Sequence, residues 1–99
     1  MFFVYILQSE KTGKYYIGHT NDPERRLKEH NESMHHTFTS KHRPWKLMAL
    51  IPVDKNRGNA MKLEKHIKGK KRRSFIDELI EKQKDNQFIE ALKRMSSAG

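Results

Sequence analysis

Short apolar runs separated by polar clusters mark the first half of the chain. Residues 2–7 are six consecutive apolar or aromatic positions, which is typical of a central strand that is buried on both faces. Turn-forming residues occupy 9–14 and strand formers return at 15–20, so the pattern predicts an antiparallel hairpin. Residues 45–53 form a similar apolar run, which predicts a third strand.

Helical signals fill much of the remaining chain. Asp22 can cap a helix whose first position is Pro23, and we expect this helix to end near residue 31. Residues 32–44 show no period of either kind and predict a loop. Apolar residues at helical spacing predict three further helices, at 59–68, 72–84 and 88–95.

These elements follow one another in the order ββαβααα. We expect Gly69 to be the left-handed residue that ends the second helix. The order predicts a small α+β domain, in which a three-stranded antiparallel sheet packs against helices. We expect this single domain to span residues 1–90, with the end of the last helix and a frayed tail at 91–99.

Charge and composition restrict the partners of this domain. The 99 residues suffice for one modest core, and the net charge of +9 is concentrated in residues 1–73, which carry 17 bases and 7 acids. Such a field favours a polyanion, although a solvated basic surface without a partner is the alternative. The apolar runs are too short for a membrane span, and the first residues lack the pattern of a signal peptide. The absence of cysteine agrees with a reducing compartment. We expect a cytoplasmic protein without membrane contact, and a monomer.

Two side chains of the first helix are candidates for chemistry. Arg26 and His30 stand four residues apart beside Leu27, so both reach toward whatever the helix covers. An arginine in this position is either a salt-bridge partner or an anion contact. A lone histidine is more often a hydrogen-bonded scaffold residue than a catalyst.

The second predicted helix carries a carboxylate on its apolar stripe. Glu64 lies among Ala60, Leu63 and Ile67, where partial burial requires a compensating cation. Lys68 at i+4, Arg26 from the first helix, or a divalent metal held by this carboxylate and water would each serve.

Tyrosines on the first two strands form a third candidate group. Strand alternation places Tyr15 and Tyr16 on opposite faces, so one packs in the core while the other presents its hydroxyl. Tyr5 on the first strand is a packed aromatic or a second hydroxyl of this kind. Gly18, on the face of Tyr16, would allow a ligand or another backbone to approach closely.

A basic run at 62–73 holds seven bases and one acid. The run is either a solvated flank or a phosphate-binding surface, and the charge of the whole body favours the second interpretation. The predicted nucleic-acid-binding residues are Lys65, Lys68, Lys70, Lys71, Arg72 and Arg73, joined by Lys41 and Arg43. Three histidines at 35, 36 and 42 lack the cysteine partners and helical spacing of a zinc site, which argues against one.

Taken together, these residues resemble the signature of the GIY-YIG nucleases. The matching positions are Phe3-Val4-Tyr5, Tyr16-Ile17-Gly18, Arg26 and Glu64, and the resemblance covers roughly residues 1–90. The segment from Leu63 to Gly69 is similar to the glutamate-bearing helix of small stand-alone bacterial members. The family includes the catalytic part of an excision-repair nuclease, so the resemblance implies the GIY-YIG fold and an endonuclease that hydrolyses DNA phosphodiester bonds.

The resemblance also implies a role for each site residue. Glu64 would be the sole protein ligand of one Mg²⁺ or Mn²⁺ ion, and Arg26 would clamp the scissile phosphate. Tyr16 or Tyr5 would orient or deprotonate the attacking water. His19 and His30 would share the proton relay, and Asn86 is a weak match to a late asparagine of the family.

Two departures from the family pattern shape the expected activity. Phe3 replaces the first glycine of the tripeptide that names the family. We expect residues 70–99 to be a helical appendage, not the attached DNA-binding domain that targets many relatives. The substrate would then be branched, damaged or single-stranded DNA, with a protein partner as a possible targeting device. The alternatives are a nucleic-acid-binding module that does not cut, and a protein whose basic face docks an acidic partner.

Overall fold

The computed structural model describes residues 1–32 and 38–98, and its strands form one antiparallel sheet. The strands are β1 (Phe3–Ser9), β2 (Tyr15–Thr20) and β3 (Trp45–Pro52), in the order β2-β1-β3. Strand β1 is the middle strand, and Val4, Tyr5, Ile6 and Leu7 are all buried. The predicted central strand, the hairpin and the α+β class are therefore confirmed.

Five helices are present in the described residues. They are α1 (Pro23–Glu32), α2 (Phe38–Lys41), α3 (Arg57–Gly69), α4 (Arg73–Glu81) and α5 (Asn86–Ala98). The one-turn helix α2 lies where the sequence predicts only a loop, because a single turn is too short to show a period. Helix α5 extends three residues beyond its predicted end. None of the helices in residues 1–32 and 38–98 is long and apolar enough to cross a membrane.

The end of α3 differs from the prediction. Gly69 is still helical, and the backbone N–H of the capping residue Lys70 donates to the carbonyls of Ile67 and Lys68. The residue with positive φ is Lys71, at 51°. The prediction that Gly69 is the left-handed residue was wrong. The helix continues through Gly69, and Lys71, two residues later, takes the left-handed conformation.

The core lies on both faces of the sheet. On one face, Val4 and Ile6 pack against the apolar stripes of the three later helices, whose buried members are Ala60, Leu63, Ile67, Ile76, Leu79, Ile89 and Leu92. On the other face, Tyr5, Leu7 and Trp45 form a smaller cluster with Tyr16 and Leu27. Helix α1 therefore covers a face rich in polar-tipped side chains, and this face carries half of the candidate site.

The side chain of Gln83 bonds two backbone groups on the outer edge of β3. The Gln83 amide nitrogen donates to the carbonyl of Met48 at 2.9 Å, and its oxygen accepts the N–H of Leu50 at 3.3 Å. The same amide nitrogen also donates to the carbonyl of Ile80 at 2.9 Å. Gln83 thus makes the two hydrogen bonds that a residue of a neighbouring strand would make.

Candidate active site

Tyr5 and Tyr16 share the α1-facing side of the sheet. Tyr5 pairs with Gly18 across the hairpin and Tyr16 pairs with Leu7, so the register places both phenols on one face. The Tyr5 ring lies directly over Gly18, where a built Cβ would stand 2.6 Å from the Tyr5 Cζ. The space above Gly18 is therefore filled by Tyr5, not by a ligand or a second backbone as the sequence suggested.

Tyr5 joins Arg26 and His30 in a partly buried hydrogen-bonded group, in which Tyr5 and His30 are buried and Arg26 is partly exposed. The Arg26 Nε donates to the Tyr5 hydroxyl oxygen at 3.3 Å, and that oxygen lies 3.0 Å from the His30 Nε2. Burial raises the pKa of Tyr5 to about 12, and burial together with the Arg26 charge lowers the pKa of His30 to about 4. At neutral pH the phenol is protonated and the imidazole is neutral, so we assign the Tyr5 O–H as donor to His30.

Tyr16 is packed by its ring and keeps its hydroxyl available. Its ring meets His30 edge-on with centroids 4.7 Å apart, and it contacts Trp45 in the same way at 6.1 Å. No hydrogen bond joins the Tyr16 hydroxyl to another residue in the described parts of the chain. Tyr16 is thus the phenol of the pair that can engage a water or a ligand.

Glu64 is held on the opposite face of the sheet by two cationic or polar partners. Its Oε1 lies 2.7 Å from the His19 Nδ1, and its Oε2 accepts from the Lys68 ammonium at 2.8 Å. The Arg57 Nε donates to the His19 Nε2 at 3.3 Å, which places the His19 proton on Nδ1 and directs it to the carboxylate. Of the cations proposed for Glu64, Lys68 is the one in contact, whereas Arg26 bonds Tyr5.

The group of residues around Tyr5 and the group around Glu64 approach each other at strand β2, which is an edge strand of the sheet. His19 pairs with Val4, so it points away from the Tyr5 face. Three observations nevertheless link the groups around the edge. The Glu64 charge adds to the pKa rise of Tyr5, behind the larger effect of burial. His19, Arg57 and Arg26 line one groove of about 430 Å³. The Lys68 ammonium also lies 6.0 Å from the centroid of the Tyr16 ring.

The predicted nucleic-acid-binding residues separate into distinct places. Lys68, Lys71, Arg72 and Arg73 line a groove on the outer side of β2. Lys65 lines a different hollow beside Glu64 and His19. The other basic residues of the set have other surroundings: Lys70 lies over the Phe75 ring, Lys41 is exposed on α2, and Arg43 donates to the carbonyl of His30 at 2.6 Å.

The donor set around Glu64 fits an ion that takes a single protein ligand. Within residues 1–32 and 38–98, no group of three or more histidine, cysteine or acidic side chains could hold a metal. Magnesium, however, commonly binds one carboxylate and keeps its waters. The Lys68 ammonium already sits on Oε2 as a cation, and its side chain is 51% exposed, so it can swing away from the carboxylate.

The histidines at 35 and 36 lie outside the described residues. His42 approaches the Thr12 hydroxyl through its Nδ1, at 3.2 Å. Asn86 begins α5 and is exposed. The roles of these residues stay predictions.

Sequence reasoning missed Arg57, because the polar stretch before α3 reads as a loop. The helix starts two residues earlier than predicted, since the Asn56 side chain caps it by accepting the Gly58 N–H at 2.7 Å. An asparagine before the helical pattern was the available signal. With that cap recognised, Arg57 would fall in the first turn of α3, next to the site.

Comparison with known proteins extends the geometric result. The UPF0213 protein YsiG of Lactococcus lactis is 37% identical over 94 residues, covering 90% of this chain and 88% of that protein. The structure-specific endonuclease subunit SLX1 of Meyerozyma guilliermondii is 41% identical over 66 residues, and its counterpart in Schizosaccharomyces pombe is 42% identical over 65 residues. These matches cover 62% and 61% of this chain but 22% and 24% of the two fungal proteins.

Most of the chain matches one protein family. The profile of the GIY-YIG catalytic domain matches residues 1–77, which include both tyrosine-bearing strands, α1 and all of α3. Every residue of the Tyr5 and Glu64 groups described above falls inside this range. The chain therefore belongs to the GIY-YIG family.

Proposed function

We propose that this protein is a metal-dependent endonuclease that hydrolyses DNA phosphodiester bonds in branched, damaged or single-stranded regions. What supports the proposal is that Glu64 and Arg26 each line a hollow with His19, while Lys68, which bonds Glu64, lies 6.0 Å from the Tyr16 ring at the β2 edge. A carboxylate for a metal, a guanidinium for a phosphate and a free phenol are the groups that phosphodiester hydrolysis needs. The name of the fungal relatives, structure-specific endonuclease subunit, supports the substrate class.

Arg26 is the phosphate-binding group in this proposal. Its Nε is fixed by the Tyr5 hydroxyl, while its side chain remains 41% exposed and lines the groove beside His19. A guanidinium held in this way meets the charge that develops on the phosphoryl oxygens without first reorganising. Tyr5 and His30 act as positioning residues, because the protonated phenol and neutral imidazole hold the arginine in place.

Glu64 is the residue that would hold Mg²⁺ or Mn²⁺. The ion, when bound, supplies Lewis-acid stabilisation and lowers the pKa of a bound water. His19 keeps Oε1 oriented while Lys68 vacates Oε2, so the carboxylate does not have to rotate. The Tyr16 hydroxyl, which has no partner among the described residues, orients the attacking water.

A cleavage assay on a panel of junction, flap, single-stranded and duplex DNA tests this function. With Mg²⁺ or Mn²⁺ we expect cutting of the branched or single-stranded substrates. Glu64→Gln and Arg26→Ala should each lower the rate by about 10² to 10³, because each removes stabilisation of the transition state. Lys84→Gln, on an exposed residue after α4, is the matched control and should keep the wild-type rate.

Two results would contradict the proposal. Cleavage that persists in Glu64→Gln would remove the carboxylate from the reaction, and cleavage that survives in EDTA would remove the metal. Circular dichroism of each variant separates a loss of chemistry from a loss of fold.

A second candidate function is a nucleic-acid-binding module that does not cut. The observation favouring it is that both Glu64 oxygens already have partners, so the carboxylate is compensated without a metal. This alternative predicts salt-dependent DNA binding that Glu64→Gln leaves unchanged, and no cleavage of any substrate.

The word subunit in the names of the fungal relatives supports a further element of the proposal, a protein partner that directs the domain to its substrate.

A further inference from the structure

The outer side of β2 carries a groove that the proposed reaction does not use. Its volume is about 520 Å³, within the usual range for ligand sites. The partly exposed side chains of Tyr15 and Ile17 provide an apolar floor, with the buried Ile67 and Ile76 beneath it. We call this feature the β2 groove, and its basic members are Lys68, Lys71, Arg72 and Arg73.

The charged side chains that line the β2 groove are all basic, although the Tyr15 hydroxyl donates to the Asp77 carboxylate and Lys68 is paired with Glu64. The lining contains four cations, and none of the lining residues within the described chain is acidic. Lys71 and Arg72 are exposed in the turn between α3 and α4, where they can reach a ligand. The Arg73 guanidinium lies 4.7 Å above the centroid of the Tyr15 ring, which holds this cation against the groove wall.

The β2 groove is continuous with the candidate active site. Tyr16 lines the groove and also packs its ring against His30. Lys68 lines the groove and also bonds Glu64. A ligand that occupies the groove therefore reaches the two residues that border the proposed metal and water positions.

A groove with an apolar floor and a cationic rim fits some polyanions better than others. Duplex DNA offers phosphates to the rim but keeps its bases stacked inside, so the floor would stay uncovered. An acidic peptide likewise satisfies the rim alone. An unpaired nucleotide offers both a phosphate and an apolar base face, which is how proteins bind single strands.

We propose that the β2 groove binds an unpaired stretch of DNA next to the phosphate to be cut. The proposal rests on the proposed function for the identity of the ligand as DNA. The proposal adds which part of the substrate is recognised, the unpaired nucleotides, and where they bind, in the β2 groove. Base contacts come from the apolar floor, and phosphate contacts come from Lys71 and Arg72.

Binding measured in EDTA separates this proposal from cleavage. The probes are a labelled single-stranded oligonucleotide, the duplex of the same length, a single strand of the same length with abasic sites, and polyglutamate. We expect the intact single strand to bind about tenfold more tightly than the abasic strand, because loss of base contacts costs roughly that factor. Equal affinity for the intact and abasic strands, for the duplex, or for polyglutamate would overturn the proposal.

Paired charge substitutions locate the binding surface. Lys71→Gln with Arg72→Gln should weaken single-strand binding and lower the slope of log affinity against log salt by about 1.4, at about 0.7 for each phosphate contact. Lys84→Gln with Arg94→Gln removes the same charge from exposed positions outside the groove. If both double variants change the slope equally, the effect is one of net charge and the groove is not the site.

Methyl spectra of the isoleucines give a readout that charge alone does not move. Ile17 and Ile76 should shift when the intact single strand is added and should stay in place with the abasic strand. Ile51, buried in the core away from the groove lining, is the internal control. Shifts confined to residues outside the groove would refute the proposal, whereas failure of cleavage with these shifts intact would refute only the proposed reaction.

Discussion

Replacing Gly18 by alanine tests the close packing that positions Tyr5. An alanine Cβ at this position would lie 2.6 Å from the Tyr5 Cζ and 3.0 Å from its Cε2, and the hydroxyl is also in contact. Gly18 pairs with Tyr5 inside the sheet, so the backbone cannot withdraw without loosening the hairpin. The phenol must therefore move, and with it the hydrogen bonds to Arg26 and His30.

The magnitude follows from two costs and one gain. Overpacking of this kind costs about 1–3 kcal/mol, and weakening the bond between Tyr5 and the Arg26 guanidinium costs about 1.5 kcal/mol or more. Replacing glycine by alanine returns about 0.4–1 kcal/mol through the unfolded chain. We expect a net loss of about 3 kcal/mol in the free energy of unfolding, which lowers the Tm by roughly 12–24 °C.

Urea unfolding followed by Trp45 fluorescence measures this loss. Gly69→Ala is the matched control, because nothing lies within 4 Å of the position of its Cβ and the residue is helical. That variant should gain about 0.5 kcal/mol. In a double-mutant cycle, Tyr5→Phe should offset part of the Gly18→Ala loss by about 1 kcal/mol. A Gly18→Ala protein as stable as Gly69→Ala would refute the described packing of Tyr5 over β2.

Two further predictions concern titration and metal binding. The folded-state pKa of His30 lies near 4, below the unfolded value of 6.5, so the unfolded chain binds more protons between these values. The free energy of unfolding should therefore fall by about 3 kcal/mol as the pH drops from 6.5 to about 4. Urea titrations should show a weaker dependence of stability on pH for His30→Gln than for the wild type in this window. The same pH dependence in both proteins would contradict the prediction. Lys68→Met frees the Glu64 Oε2, so calorimetry should find Mn²⁺ bound about two- to fivefold more tightly than by the wild type, whereas unchanged or weaker binding would show that the ammonium does not compete.

Much of the fold was predictable because its signals are local. Six apolar residues in a row identify β1 as the central strand, and the capping aspartate before Pro23 identifies the start of α1, where Asp22 indeed accepts the Arg25 N–H. The end of α3 was not predictable in the same way. Which residue takes the left-handed conformation depends on how the chain turns into α4, and Lys71 adopts it in place of Gly69.

The candidate site was also predictable only where its signals are local in the sequence. The stripe of α3 predicted a partly buried Glu64 that needs a cation, and the i+4 partner Lys68 was among the candidates. Three-dimensional placement decided against Arg26, since α1 lies on the opposite face of the sheet. The contact between His19 and Arg57 spans 38 residues and depends on the first turn of α3, so no local pattern reports it.

The side chain of Gln83 has a consequence for how copies of this protein meet. An edge strand with unpaired amides invites a strand from another molecule, and sheets that join in this way grow into aggregates. Here the exposed margin of β3 already has its donor at Leu50 and its acceptor at Met48 occupied from within the same chain. These two backbone groups are therefore not free to pair with a strand of a second molecule on that side of the sheet.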